Sequence, residues 1–156
     1  MAADLVHATA IALAGRAALI RGPSGAGKSD LALRCLALGP SPLLPCSAAL
    51  VSDDQVQLEA RGGALYARAP GTIAHLIEVR GVGIHRLEAT SGETRVALAV
   101  DLLPPHESSP ERHPDPWPHM MLLGVALPVL RLRPFEASAP VKLLLALHSA
   151  PLAGDL

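Results

Sequence analysis

Gly22-Pro23-Ser24-Gly25-Ala26-Gly27-Lys28-Ser29 is the segment that most narrows the folds open to this chain. It matches G-x-x-x-x-G-K-[ST] in full. It also stands in the setting such a loop requires, after an apolar run at residues 17–20 and before a stretch of helical spacing at residues 28–38. Glycines allow backbone conformations that turn successive N–H groups inward, making a concave anion site. The positive end of the following helix adds to it. In such a loop Lys28 sets a point charge on the β- and γ-phosphates, and the Ser29 hydroxyl is a ligand for Mg²⁺. The segment therefore points to a nucleoside triphosphate and leaves the acceptor open.

Composition sets the frame for that loop. At 156 residues, one domain spanning residues 1–156 is the expectation. Half the residues are apolar and 17% are charged, which excludes a disordered chain. The formal net charge is −1, so no broad cationic face is available for nucleic acid. One Phe, one Trp and one Tyr leave the core to aliphatic residues. The apolar stretches at residues 11–20 and 120–132 are broken by Arg16, Pro128 and Arg131, short of a membrane span. Asp4 precedes any Lys or Arg, the wrong charge order for a signal peptide. Cys35 and Cys46 have no CxxC or metal spacing and read as reduced thiols, as in a cytoplasmic protein.

Several elements follow from local pattern. Leu31, Cys35 and Leu38 share a helix face, and Gly39-Pro40 is expected to end that helix with Gly39 at C′. Residues 48–52 read as a second buried strand running into Asp53-Asp54. Residues 55–60 and 64–69 alternate in polarity around Arg61-Gly62-Gly63, a hairpin pattern. Thr72 is a candidate N-cap for a short helix reaching Ile77. Residues 84–89 and 94–102 read as a strand pair around Ser91-Gly92-Glu93. Residues 103–119 are Pro- and His-rich, a length at which loops are usually functional or disordered. Ser138 offers an N-cap for the helical run at residues 141–148. The sum is an α/β domain built on a mixed β-sheet.

Two further groups of residues carry chemistry. In Leu50-Val51-Ser52-Asp53-Asp54 a buried strand ends in two carboxylates. Successive side chains on an extended chain point to opposite sides, so one Asp can face phosphates and metal while the other serves a different part of the site. Phosphoryl transfer to a hydroxyl needs such a carboxylate to accept the proton. Glu78-Val79-Arg80-Gly81-Val82-Gly83 crowds an acid, a base and two glycines together. Glu78 could enter the metal shell and Arg80 could neutralise transferring phosphate.

In order, a His near the N-terminus, G-P-S-G-A-G-K-S, L-V-S-D-D and L-I-E-V-R-G-V-G-I resemble the catalytic domain of the HPr kinase/phosphorylase family. The resemblance covers residues 7–84. The tail from residues 124–128 through 135–140 resembles the short alphaproteobacterial branch, which lacks the family's N-terminal domain. The resemblance implies a P-loop kinase-like fold of the HPr kinase and PEP-carboxykinase type. It also implies an ATP- and Mg²⁺-dependent protein serine kinase acting on an HPr-like phosphocarrier of a phosphotransferase system, in hexamers. By position, Asp54 matches the proton acceptor and His7 the histidine that supports it. Lys28 matches the phosphate-binding lysine, and Ser29 and Glu78 match the Mg²⁺ ligands. Arg112 is the candidate for the arginine of a mobile loop closing over the acceptor. The family's P-V-[KR]-x-G-R-N segment, linked to phosphorolysis, is replaced by Leu132-Arg133-Pro134-Phe135-Glu136-Ala137, so the resemblance does not extend to the reverse reaction.

Two other readings stay open from sequence. One is a small-molecule or carboxykinase-like P-loop kinase; the other is a nucleotide-sensing module without efficient catalysis. His106, His113 and His119 share one loop but no zinc-type spacing, and read as solvated. Met120-Met121-Leu122-Leu123 reads as core.

Overall fold

The computed structural model describes residues 2–151; the ends of the expected domain, Met1 and residues 152–156, lie outside them. Eleven strands and two α-helices follow in chain order. The first six strands are β1 (Ala2–Val6), β2 (Thr9–Leu13), β3 (Arg16–Arg21), β4 (Ala49–Ser52), β5 (Val56–Arg61) and β6 (Ala64–Arg68). Then come β7 (Leu76–Val79), β8 (Gly83–Arg86), β9 (Thr94–Leu102), β10 (His119–Leu122) and β11 (Val125–Leu132). Helix α1 is Lys28–Leu36 and α2 is Ala139–Ser149.

Nine strands form one mixed sheet, with β1-β5-β6-β9-β3-β2-β4 as its main order and β11 joined to β9 and β10. β9 lies parallel to both β3 and β11, while its first residues pair with β6. This sheet is covered on both faces. One core holds Ile20, Leu31, Leu98, Leu132, Leu143 and Leu147 beneath the helices; the other holds Leu19, Val56, Leu58, Leu65, Val96 and Leu127. Burial on both faces is why β2, β3 and β9 read as nearly continuous apolar runs without alternation.

Three two-residue hairpins fold the strands back, at Ala14-Gly15, Gly62-Gly63 and Leu123-Gly124. In each, both turn residues have positive φ, between 48° and 80°. That is the type I′ geometry whose twist matches the flanking strands, held here at Ala14 and Leu123 against a steric cost.

Helix α1 buries Lys28, Leu31, Ala32 and Cys35, one face at helical spacing, and carries an Asp30–Arg34 pair at 3.0 Å. It ends at Leu36, before the expected Leu38, because the Leu38 N–H closes back on the Cys35 carbonyl. Gly39 is absent from the positive-φ residues, so it is not the left-handed C′ glycine expected. Ser138 does stand at the N-cap of α2, but its side chain makes no capping bond.

Two expectations fail between residues 70 and 90. The helix expected from Thr72 to Ile77 is one 3-10 turn at Gly71–Ile73, followed by β7. His75, at φ 68°, stops the turn, and the Leu76-Ile77-Glu78-Val79 stretch, with β-branched Ile77 and Val79, extends. The strand expected at residues 84–89 does not pair with residues 94–102: β8 pairs antiparallel with β7 in a separate ribbon, and β9 joins the large sheet. Met120, Leu122 and Leu123 pack on the second core as expected, but Met121 is 63% exposed, on the opposite side of β10.

Candidate active site

The P-loop leaves β3 in the middle of the sheet, and the β4 terminus brings Asp53 and Asp54 beside it across β2. Gly25 and Gly27 have φ of 82° and 102°, which lets the loop curl before α1 begins. Lys28 is buried, and its Nζ donates to the Gly22 and Pro23 carbonyls at 2.7 and 3.0 Å. A buried ammonium satisfied only by loop carbonyls is poised to exchange them for phosphate oxygens.

The two aspartates diverge. Asp53 is buried and accepts three bonds: from the Ser29 hydroxyl at 2.5 Å, the Thr9 hydroxyl at 3.1 Å and the Glu78 backbone N–H at 3.0 Å. Asp54 sits at φ 66° with its side chain 66% exposed and its carboxylate 2.7 Å from His7 Nε2. The Asp54 backbone N–H donates to Thr9 Oγ1, and its carbonyl accepts from the Ala8 N–H. The β1–β2 turn is thereby stitched to the end of β4, which is how a residue so far upstream meets Asp54.

His7, Asp53, Asp54, Lys28 and Ser29 therefore gather at one place. Glu78 comes to it through its backbone, on strand β7 and not after a helix; its side chain is exposed. Arg80 is exposed in the β7–β8 turn. Arg112 is exposed in the loop between β9 and β10, and among the described residues no hydrogen bond or ion pair joins it to the others. That loop is instead held by Arg133, which donates to the Glu107 carbonyl at 2.8 Å, and by an Arg131–Glu107 pair at 3.6 Å. His106, His113 and His119 are all exposed. Thr9 was not singled out from sequence; its signal is a polar residue in an otherwise apolar, fully buried strand, two positions from His7.

A cleft of about 630 Å³ lies against His7 and Gly22. Its polar rim is formed by Arg21 and Asp101, paired at 3.3 Å, with Arg131 and Glu107; Leu19, Leu102 and Met120 form its apolar wall. Among the described residues no group of three or more His, Cys, Asp or Glu side chains forms a metal cage. The donor set that exists, the Ser29 hydroxyl and the Asp53 carboxylate, is all oxygen and incomplete. It fits Mg²⁺, which keeps waters and takes phosphate oxygens rather than an all-protein shell.

Loop, lysine, hydroxyl and paired acids at the C-terminal ends of a parallel strand and its neighbours define a P-loop domain. Residues 1–137 match the family model described as the HPr Serine kinase C-terminal domain, and the chain belongs to that family. An HPr kinase/phosphorylase of Azoarcus sp. is 31% identical over 132 residues, covering 79% of this chain and 40% of that protein. The HPr kinase/phosphorylase of Bordetella pertussis is 36% identical over 98 residues, 62% of this chain and 29% of that protein. The chain thus spans well under half the length of these relatives. The Hpr(Ser) kinase/phosphatase structure from Coxiella burnetii superposes with a TM-score of 0.76 at 22% identity, covering 93% of this chain and 95% of that one. The fold is accordingly the mixed-sheet, P-loop kinase-like fold expected from sequence.

Proposed function

We propose that the chain is an ATP- and Mg²⁺-dependent protein serine kinase that phosphorylates an HPr-like phosphocarrier. One observation carries the reading: the two adjacent aspartates are split between a buried, fully bonded position at Ser29 and an exposed position paired with His7. A nucleotide sensor needs the first; only transfer to an incoming hydroxyl uses the second. The names of the relatives support the same substrate class.

In this mechanism the loop N–H groups and Lys28 hold the β- and γ-phosphates. Ser29 and Asp53, with Glu78 beside them, hold Mg²⁺, which when bound neutralises phosphate charge. Asp54 receives the proton of the acceptor serine as its oxygen bonds to the γ-phosphorus and the bond to ADP breaks. His7 orients Asp54 at 2.7 Å. Arg80 serves transferring phosphate, and Arg112 closes over the acceptor when the β9–β10 loop moves. We assign the chain the forward reaction, since the residue 132–137 segment lacks Gly-Arg-Asn. A cytoplasmic setting agrees with two free cysteines, and no described helix is long and apolar enough to cross a membrane. A homo-oligomer, hexameric by resemblance, completes the proposal.

The test is incubation with ATP, Mg²⁺ and HPr from the same organism. Serine phosphate should form on HPr, and Asp54→Asn should reduce transfer by about 10²–10⁴-fold, the usual worth of a general base, while ATP still binds. No phosphate on HPr while ATP binds would sink the reading. Loss of binding and transfer together in Asp54→Asn would contradict its role. Release of phospho-HPr by inorganic phosphate in the same assay would overturn the forward-only assignment.

A further inference from the structure

We propose that Phe135 is the platform on which the base of the nucleoside triphosphate stacks. The inference rests on the triphosphate-binding reading of the P-loop and names what holds the other end of that ligand.

Topology sets the direction. The P-loop leaves β3; the acids that face the terminal phosphate lie to one side, across β2 at the end of β4. To the other side, across β9, lies the end of β11 and the β11–α2 connection at residues 133–138. A triphosphate whose γ-phosphate faces Asp54 runs away from β4, toward that connection.

Phe135 stands there. A Cβ placed on Gly27 would meet Phe135 Cε1 and Cζ at 3.0 Å, so the ring edge rests on the loop one residue before Lys28. The rest of the ring is open: Phe135 is 67% exposed. The other two aromatic side chains are engaged elsewhere. Tyr66 lies under the Arg61 guanidinium at 4.1 Å, and Trp117 packs against the first core. Phe135 is therefore the exposed aromatic of the described residues, and it borders the phosphate loop.

The ring is also held in place. Pro134 is buried, and Arg34 of α1 donates to the carbonyls of both Pro134 and Glu136, on either side of Phe135. The Glu136 carboxylate is paired with Lys142 of α2 at 2.8 Å. Such anchoring of an apolar ring in water forfeits its burial. A flat π-face beside an anion site suits a nucleobase, whose stacking tolerates any base.

Calorimetric titration with Mg-ATP and with Mg-tripolyphosphate, which lacks the base, separates the contributions. Wild type should prefer ATP. Phe135→Ala should weaken ATP by about tenfold and leave tripolyphosphate unchanged. Phe135→Trp should restore ATP affinity, with indole fluorescence that ATP quenches more than tripolyphosphate does. Equal weakening of both ligands would show that the ring only props the loop, and unchanged ATP affinity would show that it touches nothing; either overturns the proposal. Wild type binding neither ligand would instead overturn the triphosphate reading, and this inference with it.

Discussion

At the residue scale, Asp53 and Asp54 show how one peptide step separates two roles. Asp53 continues the β4 direction inward, to Ser29 and Thr9, while the left-handed φ of Asp54 swings its carboxylate out to His7. The adjacent carboxylates were legible as a pair. Their division was expected from strand alternation, but Thr9, which bonds to both residues, was not, because its meaning depends on β2 lying against β4. The cysteines make the same point about environment. Burial pushes the Cys35 thiol up to about 12, while Cys46 is half-buried. A thiolate is the reactive form, so at pH 8 native protein should titrate with Ellman's reagent at Cys46 alone, and Cys35 should react only after unfolding. Because its folded pKa is raised, the stabilisation from neutral Cys35 is complete below the unfolded value of 9.0 and is lost as pH rises through about 12.

At the element scale, elements closed by their own neighbours were legible. The loop-to-α1 transition, the Gly62-Gly63 hairpin and the strand into Asp53 all formed as expected, within a few residues. Elements whose identity depends on a distant partner were not. Residues 72–77 carry the pattern of a short helix with Thr72 at its N-cap; what draws Leu76 and Ile77 into β7 instead is a strand tied by the Glu78 N–H to Asp53, 25 residues upstream, and paired with β8. β1 was not foreseen, since its one sheet neighbour is β5 and its side chains are mostly exposed. The hairpins at Ala14-Gly15 and Leu123-Gly124 lack the Asn or Asp that marks such turns. The P-loop itself supplies a prediction at this scale. Gly27→Ala meets two separate penalties, φ 102° and the Phe135 ring at 3.0 Å. Backbone strain of about 1–2 kcal/mol should lower the unfolding free energy. Adding Phe135→Ala should recover only the contact part, leaving the strain, as a double-mutant cycle in urea would read.

At the scale of the whole molecule, the scarcity of aromatic residues becomes a packing rule. The central strands are filled with alanine, and Ala17, Ala18, Ala97 and Ala99 have no exposed surface. Ala99 lies beside Leu19 on β3 and Val129 on β11, so neither side has room for a larger residue. Ala99→Leu should cost about 1–3 kcal/mol by overpacking. Leu43→Thr, at a position 57% exposed, should shift the urea midpoint little. A loss for Ala99→Leu as small as that for Leu43→Thr would mean the sheet centre tolerates repacking.

By itself, the sequence determined the phosphate loop, its helix, the paired acids and the mixed α/β class. These depend on short-range geometry: glycine at positive φ, apolar residues at helical spacing, and alternation along a strand. The tertiary structure decided which acid is buried and which meets His7. It also decided that Glu78 reaches the site by its backbone, and that Phe135 rests on Gly27 from the far end of the chain. Those contacts join segments separated by many residues, and no local pattern encodes them. They follow from the strand order of a sheet buried on both faces, and from how that order sets its loops side by side.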